Sequence, residues 1–132
     1  MSIETLLPHR APMLFLESLT GCTDTTATAT ACFAADHFAV ADGRVLEPAL
    51  VECMAQTVAA AMGCRARGQA GASHLGMLTV VSDFRILSRP AAGQQLQIET
   101  RELRRLGPML MVAGTITCDG QLVASGNLTL YV

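Results

Sequence analysis

Two polar side chains interrupt an otherwise apolar stretch of the sequence between Pro48 and Gly63. Glu52 is the only charged residue in this stretch and Gln56 is the only amide. They lie four residues apart, so a helix would place both on one face. Burying an ionised carboxylate without a partner is costly, so we expect Glu52 to be paired, to be protonated or to take part in chemistry.

A histidine upstream of Glu52 suggests what that chemistry is. His37 lies fifteen residues before Glu52, in a loop that could fold back toward the helix. An imidazole and a carboxyl group that share a cavity form an acid–base pair suited to removing a proton and returning it. The alternative is that Glu52 is a structural acid paired with an arginine or with backbone N–H groups. His9 is expected to bond to backbone near the start of the chain, and His74 to lie on the surface.

The elements that position these side chains follow from the apolar pattern. One long helix is predicted from about Glu47 to Cys64, with Pro48 in its first turn and Gly63 among the stop signals after it. Residues 34–45 are predicted to be a loop of mixed character. Strands are predicted at residues 13–20, 25–33, 75–87, 95–104, 109–118 and 121–132.

The order of these elements indicates an α+β fold with an antiparallel sheet. Asp119 and Gly120 between two strand patterns are a strong signal for a hairpin turn. The helix is apolar on nearly all sides, so we expect the sheet to wrap around it. A sheet of this size has an exposed edge, which pairing with a second copy would remove, and we therefore expect a homodimer.

Size and composition exclude several classes of protein. The chain has 132 residues, enough for the single domain predicted over residues 1–132, and 51% of them are hydrophobic. We predict no membrane span and no signal sequence, and hence a cytoplasmic protein. The five scattered cysteines argue against a disulfide framework or a metal site. The net charge of −2 argues against nucleic-acid binding.

The chain resembles the 3-hydroxyacyl-acyl carrier protein dehydratases along its whole length. The resemblance rests on five segments that occur in the family's order: residues 7–14 (LPHRAPML), 37–38 (HF), 52–56 (ECMAQ), 89–93 (RPAAG) and 119–124 (DGQLVA). It implies the hotdog fold, in which one long central helix is wrapped by an antiparallel sheet. We interpret the sequence as nearer to the divergent dehydratase-like relatives found with polyketide or aryl polyene pathways.

The resemblance also implies the roles of the candidate residues. His37 and Glu52 correspond to the family's catalytic histidine and glutamate, which come from opposite subunits of a dimer. These roles imply dehydration of a 3-hydroxyacyl thioester to the 2-enoyl thioester, with no metal or cofactor. The substrate is expected to be carried on the phosphopantetheine of an acyl carrier protein or on coenzyme A. Gln56 is expected to support the catalytic pair by positioning. Gly76 could let an acyl chain approach the backbone of a strand. Glu47 corresponds to the family position whose backbone N–H meets the thioester.

Two departures from the family pattern keep alternative functions open. His37-Phe38 is followed by Ala39 and Val40 instead of proline and glycine, and the helix begins with Glu47-Pro48 where the family has Pro-Gly. Proline has no N–H to offer, and a carboxylate beside a developing oxyanion would be unfavourable. The alternatives are an acyl thioester hydrolase on the same fold and a non-catalytic acyl-binding subunit that completes the site of another chain.

Overall fold

The computed structural model describes residues 2–66 and 77–132 of the chain. They form a long helix and a six-stranded antiparallel sheet, preceded by a single helical turn, so the predicted fold class is confirmed. The elements are α1 (Ile3–Leu6), β1 (Leu16–Cys22), β2 (Thr26–Cys32), β3 (Val40–Ala41), β4 (Arg44–Val45), α2 (Glu47–Arg65), β5 (Met77–Ile86), β6 (Gln95–Leu106), β7 (Met109–Cys118) and β8 (Gln121–Tyr131).

The large sheet has the strand order β1-β2-β6-β7-β8-β5, and every neighbouring pair is antiparallel. The β7–β8 hairpin turns at Asp119 and Gly120, whose φ angles of 50° and 77° are those of a primed turn, as the sequence predicted. Because the strands alternate, one face of the sheet is apolar. In β2 the alternation of threonine and alanine places Ala27, Ala29 and Ala31 in the core.

Helix α2 lies against the apolar face of the sheet and contacts β1, β2, β6 and β7. Leu50, Cys53 and Met54 of the helix are fully buried. A Cβ added at Gly114 of β7 would lie 2.7 Å from the Met54 sulfur, so this glycine allows the helix to pack closely against the sheet. No helix within residues 2–66 and 77–132 has the length and hydropathy needed to cross a bilayer.

The structure corrects three local predictions. Strand β1 begins at Leu16 instead of Met13, because residues 13–15 run along α2. The predicted loop contains the short β3–β4 hairpin, which turns at Asp42 and Gly43 through the same Asp-Gly signal as the β7–β8 turn. Gly63 lies inside α2 and is not a stop signal.

The β3–β4 hairpin, which precedes α2, is held by Arg89. Its Nε donates to the carbonyl of Val45 at 2.9 Å, and its Nη2 donates to the carbonyls of Ala41 and Arg44 at 3.3 and 3.2 Å. Charged donors on carbonyls make stronger hydrogen bonds than neutral ones. Arg89 therefore braces the β3–β4 hairpin, which leads directly into the helix that carries the candidate residues.

Gly63 brings the N-terminal turn α1 against the last part of α2. A Cβ at this position would lie 2.7 Å from the Leu6 carbonyl oxygen, which is a backbone atom and cannot move aside alone. Alanine normally stabilises a helix by about 1 kcal/mol relative to glycine. We expect Gly63→Ala to lower the thermal unfolding temperature instead, because α1 has to move away. An increase in that temperature would contradict the close approach.

Candidate active site

The first half of the candidate site is the face of α2 that carries Glu52 and Gln56. Gln56 is 1% exposed, and its Oε1 accepts a hydrogen bond of 3.0 Å from the Phe15 backbone N–H. Its Nε2 donates to the Met13 carbonyl at 2.8 Å and to Glu52 Oε1 at 3.3 Å. Gln56 therefore ties the segment before β1 to the helix and holds one oxygen of the candidate acid.

The Glu52 side chain is only partly buried within one chain, although the apolar residues around it in the sequence predict burial. Its side chain is 37% exposed, and the exposed side of α2 around it is formed by Val51, Ala55 and Ala59, which are only partly buried. A single chain therefore encloses this carboxylate only in part. The sheet covers the opposite side of α2, so this carboxyl group is open to a ligand or to another chain.

His37 forms the second half of the candidate site, and both of its ring nitrogens have backbone partners. The Ala39 N–H donates to Nδ1 at 3.0 Å, which makes Nδ1 an acceptor and places the ring proton on Nε2. Nε2 lies 3.0 Å from the Pro12 carbonyl and donates to it. A base needs a free lone pair, so His37 can take a substrate proton only after its ring leaves these two partners.

An aromatic cluster surrounds the imidazole. Phe15 and Phe33 meet the His37 ring edge-on, with ring centroids 5.5 and 5.1 Å away, and Phe38 stacks on it at 4.7 Å. Phe38 is 56% exposed, so the aromatic ring that covers this side of the imidazole lies at the surface. Aromatic neighbours of this kind fix the plane of a ring without adding charge.

The segment from Pro12 to Phe15 joins the two halves of the site. Its Pro12 carbonyl binds His37, and its Met13 carbonyl and Phe15 N–H bind Gln56. Within one chain, His37 and the Glu52–Gln56 face are thus both tied to this short segment. The predicted roles of His37 and Glu52 in catalysis remain predictions.

A third residue, His9, lies at the site and was not predicted there from the sequence. His9 Nε2 lies 3.8 Å from Glu52 Oε1, whereas the sequence predicted a hydrogen bond from His9 to backbone. Its Nδ1 is buried and has no hydrogen-bond partner among the described residues. The two residues are 43 positions apart, and only the approach of α1 to α2 brings them together. The Leu-Pro-His-Arg motif was the one sequence signal that pointed to this position.

Cys53, beside Glu52 in sequence, is not a second reactive group. Burial raises the pKa of the Cys53 thiol, and the negative charge of Glu52 adds to the rise. A thiol that stays protonated is a poor nucleophile. Its fully buried side chain instead packs in the core beneath the site.

Glu47 and Gly76 are the remaining residues that the sequence predicted at the site. Glu47 is exposed in the first turn of α2, beside Pro48, and no side chain caps this helix. Gly76, predicted to border the acyl chain, lies outside the described residues, as does His74. Within the described ranges there is no group of three His, Cys, Asp or Glu side chains that could hold a metal ion.

Comparisons with solved structures identify relatives of this arrangement. The dehydratase heterocomplex ApeI:P from Xenorhabdus doucetiae is 26% identical, with a TM-score of 0.89 over 99% of this chain and 90% of that chain. A hypothetical thioesterase with coenzyme A from Streptococcus pneumoniae is 15% identical (TM-score 0.69, covering 87% and 84% of the two chains). A Streptococcus mutans protein bound to acetyl-CoA is 16% identical (TM-score 0.71, covering 94% and 92%). The last two show similarity of fold alone.

A search of curated protein sequences found no match. A family model described as ApeP-like, ApeP dehydratase, matches residues 1–132, the whole chain. This agrees with the resemblance found in the sequence and with the similarity to a dehydratase of known structure. The chain therefore belongs to the ApeP-like dehydratase family.

Proposed function

We propose that this dehydratase removes water from a 3-hydroxyacyl thioester and yields the 2-enoyl thioester. The observation that carries the proposal is the geometry of Glu52: its carboxyl group is open to a ligand, and one of its oxygens is held by the buried Gln56. A carboxylic acid oriented in this way suits the transfer of a proton to a departing hydroxyl group.

In the proposed mechanism the two candidate residues act on adjacent carbons of the substrate. His37 Nε2 takes the proton from the carbon next to the thioester, and that electron pair forms the new C=C bond. The C–O bond at the 3-position breaks, and Glu52 gives its proton to the leaving hydroxyl to form water. Glu52 ends as a carboxylate and His37 as an imidazolium, and a proton exchanged with solvent restores both.

The contacts of His37 set a condition on this mechanism. With Nδ1 accepting from the Ala39 N–H, the ring proton lies on Nε2, so the ring has to exchange to the tautomer with its proton on Nδ1 before Nε2 can act as a base. We therefore propose that binding of substrate or of a second subunit turns the ring away from Pro12 and Ala39. Catalytic hydrogen bonds often form only in the complex with substrate, so the free chain need not show them.

The proposed substrate is carried by an acyl carrier protein or by coenzyme A. Thioester ligands are consistent with the fold, because relatives with coenzyme A or acetyl-CoA have been solved. The exposed arginines 101, 104 and 105 of β6 offer positive charge to a carrier's phosphate or acidic surface. We propose that the chain acts in the cytoplasm, in fatty acid or polyketide-type synthesis.

We further propose that the active form is a dimer. Among the described residues β5 pairs only with β8, and the β5 residues Met77, Val80 and Val81 are at least 41% exposed. An exposed apolar edge strand is a surface on which another sheet can pair. The second subunit is either another copy or a different hotdog chain, and the ApeI:P relative is described as a heterocomplex.

Incubating the purified protein with a 3-hydroxyacyl thioester tests the proposed function. We expect a product that is lighter by one water and absorbs as an enoyl thioester, with the thioester bond intact. Release of free thiol without enoyl product would contradict the proposal and favour the thioester hydrolase. The same measurement after addition of a second hotdog subunit decides whether one chain is sufficient.

Two substitutions at His37 test its role as the base. We expect His37→Ala to reduce turnover by roughly 10²-fold or more. His37→Asn is the more informative variant, since the asparagine Oδ1 can replace Nδ1 as acceptor from the Ala39 N–H while no basic nitrogen remains. We expect His37→Asn to be as inactive as His37→Ala while its unfolding temperature stays closer to that of the wild type.

A second candidate function is favoured by the same contacts. His37 is held by two backbone bonds in the free chain, so the chain could serve mainly to complete a site whose base belongs to a different subunit. In that case His37→Asn retains wild-type turnover in the complex, while substitution of Glu52 abolishes it. Such a result would remove His37 from the mechanism but leave the dehydration itself in place.

A further inference from the structure

The two oxygens of the Glu52 carboxyl group differ in their contacts. Gln56 Nε2 lies 3.3 Å from Oε1, and His9 Nε2 lies 3.8 Å from the same oxygen. No described residue makes a polar contact with Oε2. An oxygen that faces two N–H donors is an acceptor, so the acidic proton belongs on the other oxygen.

The surroundings of His9 determine which form of the ring is present. Nδ1 is buried and has no partner within residues 2–66 and 77–132, so a proton on Nδ1 would there be a buried donor without an acceptor. Such a donor is costly, whereas an unpaired lone pair is tolerated more easily. The arrangement therefore favours the tautomer with its proton on Nε2, the nitrogen nearest Glu52.

The backbone around His9 holds the ring in place. Arg10 Nη1 donates to the carbonyls of Leu7 and His9 at 2.9 and 2.7 Å, and Arg10 Nε pairs with Glu4 at 3.7 Å. The buried Leu7 anchors this turn in the core. The charge of Arg10 is thus engaged by Glu4 and by carbonyls, and Glu52 is the ionisable group that faces the His9 ring.

From these contacts we infer that His9 is a positioning residue for the acid of the proposed dehydration. With Gln56 it holds Oε1 as the acceptor and leaves Oε2 to carry the proton that the leaving hydroxyl receives. Once that proton has gone, the two N–H donors stabilise the carboxylate more than they stabilised the acid, so they favour the transfer. Ligand binding has to shorten the 3.8 Å separation for His9 to donate fully. The inference rests on the proposed function, because it assigns Glu52 the role of acid.

A matched pair of substitutions separates this role from a structural one. His9→Gln keeps an N–H donor at about the position of Nε2, and His9→Leu has a similar size but no donor. We expect His9→Leu to lower kcat about tenfold with KM changed less than about twofold, and His9→Gln to recover most of the loss. Equal kcat values for His9→Leu and the wild type, or equal losses in both variants, would overturn the inference.

The tautomer of His9 can also be tested by spectroscopy, which requires neither enzyme activity nor a stable His9 variant. The ¹⁵N signals of the His9 imidazole in the folded wild-type protein are expected to show a protonated Nε2, and Glu52→Gln should shift the Nε2 signal. A proton on Nδ1, or no response to Glu52→Gln, would contradict the inference. If the wild type dehydrates no 3-hydroxyacyl thioester, the proposed function fails, while the ¹⁵N signals still test the contact between His9 and Glu52.

Discussion

Glu52→Gln is expected to reduce turnover of a 3-hydroxyacyl thioester by roughly 10³-fold, within the range found when a positioned acid is removed. Glutamine keeps the size of the side chain and an oxygen that can accept from Gln56 Nε2, but its amide cannot supply the proton for the leaving hydroxyl. The loss should appear in kcat, because the acid acts on the bond that breaks in the transition state.

The fold should tolerate this substitution. The Glu52 side chain is 37% exposed and makes one hydrogen bond within the part of the chain that the structure describes, so the free energy of unfolding should change by about 0.5 kcal/mol or less. Glu99→Gln is the matched control, because it makes the same chemical change at an exposed position of β6. Retention of most of the wild-type turnover by Glu52→Gln would exclude Glu52 as the acid and require a different proton donor.

A thioester hydrolase built on the same residues would behave differently. There Glu52 would orient or activate a water molecule, so Glu52→Gln would abolish release of free thiol and leave no enoyl product to measure in any variant. Product identity in the wild type thus separates the two chemistries before any substitution is made. Fold cannot separate them, since both dehydratases and thioesterases occur among similar structures.

Much of the fold was predictable because local signals and the global fold agree. The Thr–Ala alternation of β2, the Asp-Gly turn between β7 and β8 and the apolar helix with Pro48 in its first turn are all present as expected. The β3–β4 hairpin was missed although Asp42-Gly43 is the same turn signal, because strands of two residues leave no visible alternation in a sequence.

The candidate site was predictable only in part, because its geometry depends on contacts between distant segments. Glu52 and Gln56 could be paired from helical spacing alone. The approach of His9 to Glu52 follows from the packing of the N-terminal residues against α2, which includes the close contact of Leu6 with Gly63, and the Nε2 contact of His37 depends on the path of residues 12–15. The apolar pattern of α2 predicts burial on every side, but it does not show which side is covered by the sheet and which is left for a ligand or another chain.

Gln56→Leu is expected to cause the largest loss of stability. Leucine fills a similar volume but leaves the buried Phe15 N–H without its acceptor, and the Met13 carbonyl and Glu52 lose a donor. A buried donor left unpaired costs about 1–3 kcal/mol. We therefore expect the free energy of unfolding to fall by about 2 kcal/mol, measured by denaturant titration. The slope of that titration should remain unchanged, since the same surface is exposed on unfolding.

The same substitution should also impair catalysis in the protein that remains folded. Gln56 holds both the Glu52 oxygen and the segment whose Pro12 carbonyl binds His37, so its loss releases both halves of the site. Gln97→Leu provides the control, because Gln97 is exposed on β6 and the identical chemical change there should leave stability within about 0.5 kcal/mol. Wild-type stability for Gln56→Leu would mean that the segment before β1 is held to the helix by its apolar contacts alone. The buried amide would then have no structural reason to be there, and its bond to Glu52 would be its only remaining role.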